Sequence, residues 1–394
     1  MQGAPGRLAG GHPLLSLYVH IPFCERKCLY CDFYSVTDRE ALEAYLRALA
    51  GEIRLVAGVG AGEPVQSVFF GGGTPSLLQP VQLETILAPL HDGFRISPEA
   101  EVSLEANPGT VCLEQLAAFR ALGVNRLSFG IQSFRDADLR FLGRIHDRAL
   151  ALGCLALARA AGFGNVGIDL ISSIPGQSLA GWDENLRRAV DLGPDHVSAY
   201  SLIVEPHTPL QRMVQAGQVR VAPSDLEAAM LERTMEVLEA SGYEHYEVSS
   251  YARPGFRCRH NGAYWSHGPY LGFGPSAHSF RPLAGGTQGW RWWNVADLGE
   301  YLARLERRVA PVAAEERLGA GQMLRERIFL GLRTGRLALD RLADDFGEDV
   351  VAERHAVLRG LLEEGLADLD GRTLRLTRPG FLLCDEIGAR LCGG

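Results

Sequence analysis

Six short β-rich runs fill the first half of the chain: SLYVHI (16–21), QSVFFGG (66–72), EVSLEAN (101–107), NRLSFGIQS (125–133), NVGIDLI (165–171) and HVSAYSLI (196–203). Segments between them, such as REALEAYLRALAGEIRLV and LEQLAAFRALG, repeat apolar residues every three or four positions, the period of helices lying on a sheet. This alternation calls for parallel strands joined by right-handed crossovers, and so for either a doubly wound sheet or a full or partial (β/α) barrel. The chemistry-bearing residues decide between them. Cysteines follow the first run, GGGTPS the second, Glu105 and Asn107 end the third, Gln132 the fourth, and Asp169 lies in the fifth. A curved parallel sheet brings all five strand ends to one mouth, whereas a doubly wound sheet would focus on a single switch point. The reading is an α/β fold, a partial (β/α)6 TIM-like barrel over residues 1–248.

After Ser241 the pattern changes. GYEHYEVSSYARPGFRCRHNGAYWSHGPYLGFGPSAHSF is rich in Gly, Tyr, His and Pro, and predicts irregular structure with one short strand near Tyr246 to Tyr251. Residues 249–322 are therefore expected to form a connector. Helical patterns return from Met323 and end in DGRTLRLTRPG, a hairpin, so 323–394 predicts a smaller helical, winged-helix-like domain. Such modules often bind DNA, but residues 323–386 carry ten Arg against thirteen Asp plus Glu. The whole chain has a formal net charge of -8 and a pI near 5.8. Phosphate-backbone binding needs a basic face, so nucleic acid is not an expected partner.

With 394 residues the chain can bury a large pocket and still carry an appendage. No apolar run approaches the ~20 residues that cross a bilayer, and MQGAPGRLAGGHPLLS lacks a signal peptide's apolar segment. A cytoplasmic protein without a transmembrane segment is expected. Eight cysteines in this length are too sparse for a disulfide scaffold. Five of them, Cys112, Cys154, Cys258, Cys384 and Cys392, are scattered and read as free thiols.

Cys24, Cys28 and Cys31 fall within eight residues, in VHIPFCERKCLYCDFYS. Four thiolates usually hold a cuboidal 4Fe-4S cluster, so three leave one iron open. Tetrahedral zinc would need a fourth ligand, for which His20 is the nearest candidate, although a histidine inside an alternating strand has an ordinary structural use. An open iron can be completed by an amine and a carboxylate on one carbon. S-adenosylmethionine carries that chelate, and one electron from a reduced cluster then cleaves its sulfonium bond.

HIPFCERKCLYC, with Tyr30 before its third cysteine, resembles the radical SAM superfamily. YVHIPFC, FFGGGTPS, LEANP, FGIQSF, LGRIH, IDLISSIPGQ and HNGAYW together resemble its branch of oxygen-independent coproporphyrinogen III oxidases and related haem chaperones, over almost the whole chain. The resemblance implies that Cys24, Cys28 and Cys31 hold the cluster and that Tyr18 lies beside the cofactor. It also implies that Glu105, Gln132, Arg144 and Asp169 contact S-adenosylmethionine. Read alone, Tyr18 could be a strand aromatic, Glu105 a rim acid and Arg144 a surface cation, while Asp169 after an apolar run already asks for a partner. Gly72 and Gly73 let backbone approach a ligand and Thr74 adds a hydroxyl, without the lysine or spacing of a nucleotide-binding loop.

Two departures from the oxidase pattern point to the chaperone subgroup. Phe33 stands where the oxidases continue to a fourth cysteine, and only 23 residues precede Cys24, where the oxidases carry a longer arm. HNGAYW, from His260 to Trp265, matches that subgroup's H-N-x-x-Y-W signature. Imidazole is a common haem ligand, and Tyr264 and Trp265 could pack on a macrocycle, so His260 is the expected ligand, with His245, His267 and His278 as lesser candidates. The resemblance thus implies a haem chaperone rather than an enzyme, carrying a 4Fe-4S cluster and S-adenosylmethionine. Its implied partners are haem, an apo-haemoprotein acceptor such as a respiratory one, and an electron donor; a homodimer stays open. The alternative is a coproporphyrinogen-oxidising enzyme of porphyrin biosynthesis.

Overall fold

The computed structural model describes residues 14–60, 62–283, 285–347 and 350–393. The first thirteen residues, on which much of the short-arm and signal-peptide reading falls, lie outside the described residues. Six strands pair in parallel and in sequence order: β1 (Leu15–Ile21), β2 (Pro64–Gly72), β3 (Arg95–Ala106), β4 (Arg126–Gln132), β5 (Val166–Ser172) and β6 (His196–Ser201). Helices such as Leu42–Val56, Pro80–Gly93, Arg148–Ala160 and Leu179–Leu192 connect them.

Strand side chains alternate between two faces, and here the apolar set faces outward. Leu17, Val19, Val68, Phe70, Leu104, Leu127, Phe129, Ile168, Leu170 and Val197 are buried in the main core with helix residues such as Leu46, Leu49, Ile53, Leu155 and Leu186. The intervening positions, Tyr18, His20, Phe69, Glu105, Arg126, Ser128, Asp169 and Ser198, line the lumen. These side chains do not fill the lumen as a packed barrel core would, and it stays open as a cavity of about 890 Å³.

The sheet does not end at the sixth strand, and here the expected irregular connector is corrected. β7 (Glu244–Glu247) and β8 (Ser250–Ala252) form a hairpin that pairs antiparallel with β6. β9 (Tyr270–Phe273) adds a seventh parallel strand beside β1, followed by antiparallel β10 (His278–Pro282), β11 (Gly289–Asn294) and β12 (Val312–Leu318). The result is one twelve-stranded sheet. The glycines that made this stretch look irregular serve close approach. A Cβ on Gly272 would stand 2.2 Å from the His278 carbonyl, and one on Gly274, at φ +97°, 2.6 Å from that of His20.

Glu52, buried on the helix Leu42–Val56, ties this extension to the barrel. It accepts from Gly274 N (2.8 Å), Tyr301 Oη (2.6 Å) and Asn294 Nδ2 (2.5 Å). The C-terminal residues carry a second core of Ile328, Leu332, Leu361, Leu374 and Ile387. Its helices include Ala320–Arg333, His355–Glu363 and Cys384–Cys392. They flank a three-stranded sheet of β13 (Arg336–Ala338), β14 (Ala367–Asp370) and β15 (Thr373–Leu376), the last two forming the hairpin expected from DGRTLRLTRPG. This unit docks through Phe381 on the His245 ring (centroids 4.3 Å) and through Val248 N donating to Arg333 O (2.8 Å). Among the described residues no helix is long and apolar enough to cross a membrane.

Candidate functional site

The loop after β1 is pinned where it leaves the strand. Val36 N donates to Pro22 O (2.7 Å), Cys24 N to Val36 O (2.9 Å), and Phe23 is buried between. Farther along, Leu210 N donates to Leu29 O (3.0 Å), so the loop is held between the β1 end and the segment after β6. Cys24, Cys28 and Cys31 all face the cavity. Thr74 Oγ1 donates to Cys24 Sγ (3.6 Å) and Arg144 to Cys28 Sγ (3.5 Å).

The glycines after β2 are cradle positions. Gly72 has φ +106°, and a Cβ on Gly73 would lie 2.7 Å from Phe23 O. Gly72 N donates to Glu105 Oε2 (3.2 Å). Asn107, at the end of β3, donates to Thr74 Oγ1 (3.1 Å) and accepts from Arg144, whose guanidinium also donates to Gly130 O (2.7 Å). Gln132 ends β4 at φ +67°, a left-handed conformation that turns its side chain at the strand end.

Deeper in the lumen Asp169 accepts from Ser128 Oγ (3.2 and 3.3 Å). Burial, reinforced by Asp169, pushes the Glu105 carboxyl up to about 8, and burial raises Asp169 as well. Glu105 therefore keeps its proton at neutral pH and can donate as well as accept. Burial, then Glu105, raises the Tyr18 phenol, which donates to His20 Nδ1 (3.1 Å). Tyr30 is likewise raised by burial and sits beside Arg144.

A seven-residue helix, Arg259–Trp265, closes the lower end. Its first amides, Arg259 N and His260 N, donate to Glu101 (3.1 to 3.3 Å). His260 is buried on the cavity floor, its ring stacked on Phe69 at 5.0 Å. Both ring nitrogens are engaged, Nδ1 with Ser67 Oγ and Nε2 with Tyr264 Oη, each at 3.0 Å.

The three cysteines and Tyr18, Tyr30, Gly72, Gly73, Thr74, Glu105, Gln132, Arg144, Asp169 and His260 all border this one cavity, as do Tyr264 and His278, whereas Trp265, His245 and His267 do not. Sequence reasoning missed Arg126. It is 2 % exposed and lines the lumen, its Nε has no hydrogen-bond partner and its side chain no ion pair among the described residues, although Cys258, then Glu101, raise its pKa against the effect of burial. Its signal was the arginine inside NRLSFG, a cation in an otherwise apolar strand.

The residues fit a cluster. Burial pushes the Cys24 thiol up and the Cys31 thiol up to about 11, so thiolates here require a strong positive partner. Three thiolates on one loop suit a cluster in which each takes a different iron. Glycine backbone at the cavity wall, Glu105 and Arg144 supply donors and acceptors for a polar ligand beside it.

Comparison with known proteins sets the class. Residues 18–189 match the model of the Radical SAM superfamily and residues 320–383 that of the HemN C-terminal domain. The fold matches that of coproporphyrinogen III oxidase HemN from Escherichia coli, described as a radical SAM enzyme, at a TM-score of 0.82 and 27% identity, covering 96% of this chain and 90% of that one. The barrel and its cysteine loop are thus those of a radical SAM protein. The chain is 39% identical to heme chaperone HemW of Mycobacterium tuberculosis, over 99% of both chains, and 35% identical to that of Bacillus subtilis, over 96% of this chain and 99% of the other. It belongs to the HemW family within the coproporphyrinogen III oxidase-like branch of that superfamily. A mouse mitochondrial protein, radical S-adenosyl methionine domain-containing protein 1, is 36% identical over 94% of this chain and 86% of its own length.

Proposed function

We propose that this chain is a haem chaperone, which binds haem and transfers it to apo-haemoproteins, with a 4Fe-4S cluster and S-adenosylmethionine in the lumen. The observation that carries the reading is the near full-length identity to proteins named heme chaperone HemW. Phe33 supports it: the side chain in the fourth-cysteine position is 64% exposed at the cavity and offers no thiol.

In this reading Cys24, Cys28 and Cys31 hold the cluster, and the bound pair supplies one-electron cleavage of a sulfonium bond. Arg144 orients Cys28, and Thr74 orients Cys24. Gly72, Gly73, Glu105, Gln132 and Asp169 hold the polar parts of S-adenosylmethionine, while Tyr18 and Tyr30 exclude water beside it. A cytoplasmic location, an electron donor and a respiratory acceptor belong to the same proposal.

The likeness to HemN favours a second reading, an oxygen-independent coproporphyrinogen III oxidase that removes two propionate carboxyls. One experiment separates the two. Anaerobically reconstituted protein is offered haem and, separately, coproporphyrinogen III with S-adenosylmethionine and a reductant. Haem retention without protoporphyrinogen formation is expected; multiple-turnover decarboxylation would establish the oxidase instead.

A further inference from the structure

We infer that the haem iron is taken by His278 at the mouth of the cavity rather than by His260 on its floor. The inference rests on the haem-chaperone reading and names the site of that cargo. An axial imidazole needs a free ring nitrogen, room for a flat macrocycle some 10 Å across, an apolar platform, and cations for two carboxylates.

Two histidines near this end of the fold, His260 and His20, fail the first condition, and two others, His267 and His245, do not border the cavity. His260 has both nitrogens in hydrogen bonds and lies on a helix tied to β2 and β3. His20 also borders the cavity, and its nitrogens are engaged by Tyr18 Oη (3.1 Å) and Tyr34 O (2.8 Å). His267 points Nε2 at Glu326 (3.1 Å) and stacks on Phe280 outside the cavity. His245 lies between the rings of Tyr251 (4.5 Å) and Phe381 (4.3 Å).

His278 meets the first condition and borders the cavity. It is exposed, and its ring nitrogens make no hydrogen bond among the described residues. It pairs with Trp293 across β10 and β11, and the two rings stack at 5.6 Å and 19°. Stacking occupies a face of the imidazole and leaves its edge, where the lone pair lies, free. The main chain is held by the tight approach of Gly272 to the His278 carbonyl and by the turn in which Ala277 N donates to Gly274 O (3.3 Å). The imidazole is therefore presented from a fixed sheet edge.

Other exposed residues that border the same cavity have the chemistry haem needs. Phe33 and Ile203, 64% and 65% exposed, offer apolar surface on the same cavity. Arg26 and Lys27, also on its wall and exposed, have no ion-pair partner among the described residues and suit the two propionates. Haem held on an exposed histidine also stays within reach of an acceptor, whereas iron on His260 would first have to displace a hydrogen bond from Ser67 or Tyr264.

The test is a haem titration of the full chain, cluster-loaded, read by the Soret band. His278→Ala is expected to shift the band and weaken binding by roughly tenfold or more, with unchanged iron and sulfide content, and added imidazole should restore the band position. His260→Gln is expected to keep the wild-type band. A His278→Ala protein with the wild-type spectrum and affinity overturns this assignment while leaving the chaperone reading intact. A His260→Gln protein that folds and loses the band, with His278→Ala keeping it, overturns it in favour of the floor. Failure of the wild-type chain to bind haem would remove both the assignment and the reading beneath it.

Discussion

His260 and Tyr264 are joined side chain to side chain, Nε2 to Oη at 3.0 Å, one turn apart on the helix that closes the barrel floor. With Ser67 on the other nitrogen, the imidazole bolts that helix to β2. The H-N-x-x-Y-W segment therefore has a structural use that does not depend on any ligand.

His260→Ala should thus destabilise the fold by about 2–3 kcal/mol, because it opens a cavity and strands two hydroxyls. Burial, then the Arg126 cation, lowers the His260 pKa from 6.5 to about 3. Between these values the unfolded chain takes up a proton that the folded chain refuses, so stability falls as pH falls from 6.5 towards 3. Chemical denaturation of His260→Gln across that window should show a shallower acid loss than wild type.

Glu52 predicts the opposite slope. Its carboxyl is raised from 4.5 to about 7 by burial, against the pull of its three donors. Unfolded chains ionise it first, so stability falls as pH rises from 4.5 to 7, by about 3 kcal/mol, and levels above. Glu52→Gln should remove this slope. Because Gly274 N and Tyr301 Oη share one oxygen and Asn294 takes the other, the amide must face a donor. The variant should be less stable than wild type by about 1–3 kcal/mol at pH 5, with the gap narrowing towards pH 7, as guanidinium melts at the two pH values would show.

Iron counts distinguish the cysteines. Anaerobic reconstitution of Cys28→Ala should fall well short of about four irons per chain, while Cys112→Ala, at an exposed and unclustered position, should stay at the wild-type value. Equal losses in both would remove the cluster assignment.

S-adenosylmethionine should alter the EPR spectrum of the reduced cluster, since its amine and carboxylate complete the open iron. Glu105→Ala should weaken that response by roughly tenfold in ligand concentration, because it removes a buried acid that can both accept and donate. A loaded cluster whose spectrum ignores the ligand in the wild-type chain would contradict the open-iron argument.

Much of the barrel was readable because its signals are local. GGGTPS, LEANP and NRLSFGIQS each combine a strand period with a residue that a packed core would not tolerate, and the structure gathers them at one cavity. The extension was not readable for the converse reason. β9 owes its place to β1, from the other end of the chain, and to Glu52, an acid that looks like any surface residue of an amphipathic helix. Arg126 was overlooked because nothing in its neighbours shows that alternate positions of β4 face a lumen. The HNGAYW helix shows the limit of a motif: its position on the cavity was legible, but not the hydrogen bonds that occupy both His260 nitrogens.

The central claim is delivery of haem, and transfer kinetics test it most directly. Haem-loaded protein is mixed anaerobically with an apo-haemoprotein at several concentrations, and the acceptor's Soret band is followed in time. A chaperone hands over its cargo in a complex, so the rate should rise with acceptor concentration and exceed the rate at which haem leaves into a passive scavenger. A transfer rate that is independent of acceptor and equal to passive loss would contradict the account.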